Sequence, residues 1–239
     1  MKPKLPQRPA AWLALGTAFH EAAAQWEISG RDLDFEGLFF DLYDRDISIL
    51  KDSQPDMDMW MKPFRSKIEK DIELRRAAGA RMVANYIEDC NDAEWEIAVI
   101  DGKPAVEIEF SVDLGGIEVV GFIDRVLWWP IDRVYTIRDD KTGNREKRNI
   151  QLGVYTYAAN TLFDLGAKQA EYWYAKDRGS SGWVATKRYT YDYLTDIYGK
   201  LDRSIEERLF IPNPGDRCDL CSVRDYCREM GTEELPSEE

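Results

Sequence analysis

The first apolar periodicity runs from about Ala10 to Glu27, where Trp12, Leu15, Phe19 and Ala23 fall along one stripe at the three- and four-residue spacing of an amphipathic helix. The segment is rich in Ala, the best helix former. Pro9 suits its entrance, and Ser29-Gly30 ends it. From Asp34 to about Asp89 the helical period continues, broken at Ser53-Gln54-Pro55-Asp56. No strand-like alternation occurs there, so residues 34–90 are predicted to be a helical insertion forming a lobe.

At Glu94 the period changes to two. Trp95 to Ile100 alternates, Asp101-Gly102 turns the chain, Ala105 to Asp113 alternates again, and Leu114-Gly115-Gly116 makes a second turn into Ile117 to Leu127. Arg133 to Arg138 predicts a further strand. Alternating β-branched runs joined by short turns read as a meander or hairpin set. A helix follows from about Asn149 to Leu165, closed by Gly166. Gln169 to Lys176 and Trp183 to Thr190 predict a strand pair, and Tyr193 to Arg208 another helix. Residues 212–230, rich in Pro, Gly, Asp and Cys, form a small knuckle, and 231–239 are predicted to be a disordered acidic tail.

This order describes an α/β fold in one domain, residues 1–230, with a mixed sheet flanked by helices rather than a parallel doubly wound one. The 239 residues are 44% hydrophobic and 12% aromatic, enough for a substantial core. No apolar run approaches the roughly 20 residues of a membrane span and no signal-peptide pattern opens the chain, so a cytoplasmic protein without membrane contact is expected. G-x-G-x-x-G, G-x-x-x-x-G-K-[ST] and G-x-S-x-G are all missing, which removes the minimum parts of nucleotide-binding and serine-hydrolase sites. The formal charge of −13 argues against a phosphate-rich partner, but the charge is segregated. Asp32 to Asp58 is strongly acidic and Glu229 to Glu239 holds five Glu, whereas Arg138 to Arg148 is locally basic. DNA is not excluded.

The candidate chemistry sits at the strand ends. Asp124 closes one strand, and Asp139-Asp140-Lys141 ends the next. Strands about 4.8 Å apart let both carboxylates reach one divalent cation, which takes oxygen ligands, lowers the pKa of a bound water and neutralises phosphate charge. Lys141 repeats at the strand period and shares the face of Asp139, where an ammonium stabilises a phosphorane-like transition state. In a chain with 32% charged residues an acid-x-Lys triplet also arises by chance, and Asp124 on the neighbouring strand carries the added weight. Asp140 falls on the other face, as a solvated or capping residue. His20 is the sole histidine; it is either a structural side chain or a metal ligand through its neutral imidazole. Gln151 and Tyr155 share a helix face and can hold a phosphate backbone or Lys141, or serve as ordinary helix-surface and half-buried residues. Of 4 Cys, Cys90 stands alone while Cys218, Cys221 and Cys227 crowd together, which suggests a ligand cluster in a reducing compartment rather than a disulfide framework.

Gly16 to His20 (G-x-x-x-H), Gly121 to Arg125 (G-x-I-D-R), Asp139 to Gly143 (D-x-K-T-G) and Gln151 to Tyr155 (Q-L-x-x-Y), in that order, resemble the RecB-like branch of the PD-(D/E)XK nuclease superfamily. The resemblance covers about residues 10 to 230. It implies a restriction-endonuclease-like core and a Mg²⁺- or Mn²⁺-dependent deoxyribonuclease, in the first instance an exonuclease of DNA processing, repair or recombination, with DNA and a repair or recombination protein as partners. His20, Asp124 and Asp139 would be metal ligands and Lys141 the catalytic lysine, with Gln151 and Tyr155 as the site motif on the following helix. Glu107 or Glu109, on the strand pairing with Gly121 to Asp124, is expected near the site.

The C-x-x-C-x5-C at the C-terminus is also similar to the family's iron–sulfur members, the CRISPR-associated RecB-type exonucleases and related phage-borne proteins. A [4Fe–4S] cluster needs four Cys, and in those relatives the fourth precedes the first-helix His. This chain has no Cys there. Three options stay open: a truncated start, Cys90 as the fourth ligand, or no cluster, with zinc as a replacement. The expected task of such a cluster is to pin the C-terminal segment to the N-terminal helical part. The basic run Lys62, Arg65, Lys67, Lys70, Arg75, Arg76 and Arg81 is read as a guide for a single strand or as a solvated helix face. The competing functional classes are a catalytically silent DNA-end-binding module and an interaction protein organised by the Cys knuckle.

Overall fold

The computed structural model describes residues 5, 7–62, 67–209, 211–215, 218–227 and 229–231. Helix α1, Ala11–Ile28, ends where Gly30 and Arg31 turn left-handed (φ 74° and 71°) and Arg31 N–H bonds back to the Trp26 carbonyl at 2.8 Å. Helix α2, Phe35–Ser53, is capped by Asp34, whose carboxylate accepts from Gly37 N–H at 3.1 Å, and stops at the predicted break. Helix α3, Ile68–Asn91, completes the helical layer.

Strands β1 (Glu96–Ile97), β2 (Val99–Ile100), β3 (Lys103–Pro104), β4 (Val106–Asp113), β5 (Glu118–Trp129) and β6 (Val134–Lys141) follow. Helix α4, Ile150–Phe163, leads to β7 (Gln169–Tyr174), β8 (Gly179–Ser180), β9 (Val184–Ala185) and helix α5, Tyr191–Glu206. The main sheet runs β1-β5-β6-β7-β8, with β4 also on β5 and β9 also on β7, and β2 and β3 form a separate pair. Its pairs are antiparallel except β6 with β7. The right-handed β6–α4–β7 crossover expected of such a pair puts α4 over one face.

Two cores cover the two faces. On one, α1, α2 and α3 share Phe19, Phe39, Tyr43 and Tyr86 with Leu127 and Trp173 of the sheet. On the other, Leu152 and Ala158 of α4 and Leu194 of α5 pack with Ile123, Val126 and Ile137. The mixed sheet flanked by helices agrees with the expected α/β fold. The helices of residues 34–90 are no separate lobe, because the aromatic side chains of α2 and α3 are part of the core beneath α1.

Other expectations shift in detail. Strand β6 begins at Val134 and carries Asp139-Asp140-Lys141 at its end, beyond the run 133–138, because β7 pairs beside it as far as Lys141↔Tyr174. The strand expected over 183–190 is two residues long, and its partner role is shared with Gly179–Ser180. Helix α4 ends at Phe163, with Asp164 left-handed (φ 50°) ahead of Gly166. Apart from Gly231, the acidic tail lies outside the described residues, as does Arg65 of the basic run. Among the described residues no helix is long and apolar enough to cross a membrane.

Candidate metal centre and catalytic side chains

Among the described residues one group of three or more His, Cys, Asp or Glu side chains converges as metal ligands do: His20, Glu107 and Asp124, with ligand atoms all within 4.8 Å of one another. His20 comes from α1, Glu107 from β4 and Asp124 from β5. The hairpin register explains the last two. Asp113 pairs with Glu118 across the Leu114–Ile117 turn, and the same register pairs Val106 with Arg125 and Ile108 with Ile123, which sets Glu107 opposite Asp124. Glu109 is exposed. Glu107 is held at φ 49°, a conformation that costs about 1–3 kcal/mol in a non-Gly residue and concentrates at functional sites.

His20 Nδ1 lies 3.3 Å from Asp124 Oδ2 and 3.8 Å from Glu107 Oε1. Asp124 Oδ2 also accepts from the backbone N–H of Asp140 at 2.8 Å. Burial by itself disfavours a charged imidazole, but Glu107, Asp124 and Asp140 together outweigh it and raise the His20 pKa to about 9. Desolvation lifts Asp124 to about 6, with Asp139 and Glu107 pushing the same way against His20 and Arg125. The acids around His20 therefore favour positive charge at this place. Glu107 Oε1 is buried and makes no hydrogen bond, an acceptor that a cation would satisfy. Two carboxylates and an imidazole fit a divalent ion of the Mg²⁺ or Mn²⁺ kind, with imidazole favouring the transition metal.

Asp139 stands beside this group but outside it. Its Oδ2 is 2.7 Å from Lys141 Nζ, and desolvation raises its pKa against the opposing pull of that lysine. Lys141 Nζ donates to Gln151 Oε1 at 2.9 Å, and Gln151 Nε2 donates to the Tyr155 hydroxyl at 2.9 Å. Asp139, Lys141, Gln151 and Tyr155 thus form one chain, and of the two roles expected for Gln151 and Tyr155 the geometry favours holding Lys141.

Asp140 is not solvated. It is fully buried, neither carboxylate oxygen makes a hydrogen bond, and Oδ2 lies 3.5 Å from Arg125 Nη2. Desolvation lifts its pKa to about 6, opposed by Arg125 and reinforced by Asp124. Arg125, also fully buried, donates from Nε to the Tyr86 hydroxyl at 2.9 Å and from Nη1 to the Asp124 carbonyl at 2.7 Å. It ties the backbone of Asp124 to α3. Sequence reading left Arg125 and Tyr86 without a role; the position of Arg125 next to the candidate ligand Asp124, on the strand face that it shares with Leu127, was the available signal.

The cysteines do not assemble. Cys218 and Cys221 lie in and beside the turn Cys218–Leu220, and Cys227 follows the turn Arg224–Tyr226. This knuckle docks on the segment before α1, where Arg8 N–H bonds to the Ser222 carbonyl at 2.9 Å. All four thiols are free, and the three C-terminal ones do not come within common ligand distance. Cys90 is buried 3.5 Å from Glu27 Oε1 at the far end of α1, a helix of 18 residues and so about 27 Å long. It is not placed to complete a cluster at the knuckle, and four-cysteine ligation does not fit the residues present.

The profile of the PD-(D/E)XK nuclease superfamily matches residues 2–228. The chain is 33% identical over 238 residues to the Gene 69 protein of Mycobacterium phage D29, with 94% of this chain and 87% of the relative covered. It is 32% identical over 259 residues to the Gene 69 protein of Mycobacterium phage L5, covering 94% and 88%. The chain belongs to the PD-(D/E)XK nuclease superfamily. Within it, the homologues of this protein include mycobacteriophage Gene 69 proteins.

Proposed function

We propose that the protein is a Mg²⁺- or Mn²⁺-dependent deoxyribonuclease, most simply an exonuclease, that hydrolyses phosphodiester bonds during DNA processing, repair or recombination. The observation that carries this reading is the joining of two units at one place: the His20, Glu107 and Asp124 group, and the Asp139–Lys141–Gln151–Tyr155 chain beside it. A cation bound there supplies charge neutralisation at the phosphate and a more acidic water. His20, Glu107 and Asp124 would hold it, with Asp139 next to them. The Lys141 ammonium has three N–H donors; Asp139 and Gln151 engage two, which leaves one for the phosphate or the attacking water. Water oxygen adds in line to phosphorus, the P–O ester bond breaks, and the leaving oxygen takes up a proton to give a hydroxyl and a phosphate monoester.

A DNA-end-binding role without catalysis would have no use for a lysine fixed on both sides. The test is degradation of end-labelled single- and double-stranded DNA in Mg²⁺ or Mn²⁺ by wild type and Lys141→Ala. Cleavage is expected from wild type alone and only without EDTA. Folded wild type that binds DNA but cuts neither form would replace the nuclease with the binding module.

A further inference from the structure

Next to the His20, Glu107 and Asp124 group in the chain lies a cavity of about 720 Å³, lined partly by the motif residues Gly16, Thr17, Thr142 and Gly143 and for the rest by side chains outside the motifs. It opens at the carboxyl ends of β6 and β7, the sheet's parallel pair, where ligands of α/β folds collect. Helix α1 supplies Trp12 and Gly16, the latter one turn before His20; the loop after Lys141 supplies Asn144; α3 supplies Arg75; Lys176 follows β7; and Leu220 of the knuckle closes a wall. The volume suits a small molecule or a single residue of a polymer.

The lining has a consistent chemistry. In a protein of net charge −13, it contains Arg75 and Lys176 and no carboxylate. The Arg75 guanidinium lies 5.9 Å from the centre of the Trp12 ring and is steered by Asp71, which accepts from Nε at 3.2 Å. Lys176 is exposed and has no ion pair among the described residues, while Asn85 fixes its backbone by donating to the Ala175 and Lys176 carbonyls at 2.8 and 3.3 Å. Gly16 and Thr142 meet at the wall nearest His20, where a Cβ on Gly16 would lie in contact with Thr142 Oγ1 at 3.4 Å. An aromatic face with cations around it is how proteins hold unpaired nucleotides, each base stack being sequence-tolerant.

We infer that this cavity seats an unpaired nucleotide of the strand being cut, its base against Trp12 and its flanking phosphates towards Lys176 and Arg75. The inference rests on the nuclease reading and specifies its substrate. A base inside a duplex has both faces covered by its stacked neighbours, and the last pair of a blunt end, though open on one face, is too wide as a pair for a seat that takes one nucleotide, so the seat favours a frayed or single-stranded end.

The test is fluorescence anisotropy in EDTA with labelled oligo(dT) and a blunt DNA hairpin, on wild type, Trp12→Ala and Lys176→Glu, with thermal melts to confirm folding. Trp12→Ala should raise the Kd for oligo(dT) about 5- to 150-fold, the loss of one base stack. Lys176→Glu, at an exposed position, should weaken it too and flatten its salt dependence. The blunt hairpin should change little. Folded variants that bind oligo(dT) as wild type does, or that lose hairpin and oligo(dT) equally, would overturn the assignment. Mn²⁺-dependent cleavage separates the two readings: a wild type that cuts DNA while the variants bind normally defeats the cavity alone. A wild type that needs Trp12 for oligo(dT) but cuts nothing defeats the nuclease and keeps the nucleotide seat.

Discussion

Glu107 and Glu109 differ by one strand period and share a face in sequence terms, yet one joins the metal group and the other is exposed. The distinction was legible, because counting from the Gly115-Gly116 turn sets residue 107 opposite Asp124. Glu107→Gln should weaken Mn²⁺ binding by roughly tenfold or more, as even outer-shell changes at metal sites do, whereas Glu109→Gln should leave it unchanged; titration calorimetry reads both. Lys141→Ala should lower kcat about 10²- to 10³-fold, as removal of a fixed electrostatic donor does. Gln151→Ala should lower kcat less and leave KM near wild type, because Gln151 acts through the lysine it positions. Cys90 offers a further residue-scale test. Desolvation and the neighbouring Glu27 push its thiol well above the ordinary range, so in native protein it should resist iodoacetamide while the part-exposed Cys218, Cys221 and Cys227 react. Equal labelling of Cys90, read by peptide mass spectrometry, would contradict its burial. Asp140 was not legible: strand alternation gave its face, but the buried Arg125 that waits there arrives from another strand.

Local period determined which elements exist, and long-range pairing determined how far they extend. The helices at both ends of the break at 53–56 were readable because a 3.6-residue pattern needs no partner to be seen. The place of Asp139, Asp140 and Lys141 at the end of β6 was readable from the strand period, but the partner that holds them there was not, since β7 is laid parallel beside them only across α4. Helix α2 against α3 tells the same story, for the insertion's apolar positions gave helices but not the face of the sheet they cover. That crossing depends on Gly79, where an added Cβ would stand 1.9 Å from Phe39 Cζ. Gly79→Ala should therefore destabilise the protein by about 1–3 kcal/mol through overpacking, despite the better helix propensity of Ala, and lower Tm in a thermal melt. An unchanged or higher Tm would mean that Phe39 moves aside freely.

At the scale of the molecule, the mixed sheet brings together elements far apart in sequence: α1 with His20, the β4–β5 hairpin with Glu107 and Asp124, β6 with Asp139 and Lys141, and α4 with Gln151 and Tyr155. Net charge said little about this, because the acidic surplus lies on α2 and elsewhere while the cavity beside the site is lined by cations. The four motifs were readable in order, but the failure of Cys90 to reach the knuckle was not, since only the packed length of α1 separates them. The most direct test of the central claim is the rate at which end-labelled DNA is cut as Mn²⁺ is raised, in wild type and Asp124→Asn. A saturable rise in wild type and a flat, near-zero rate in the variant are expected. Cutting that is insensitive to Mn²⁺, or that survives Asp124→Asn unchanged, would contradict the claim that His20, Glu107 and Asp124 hold the ion on which cleavage depends.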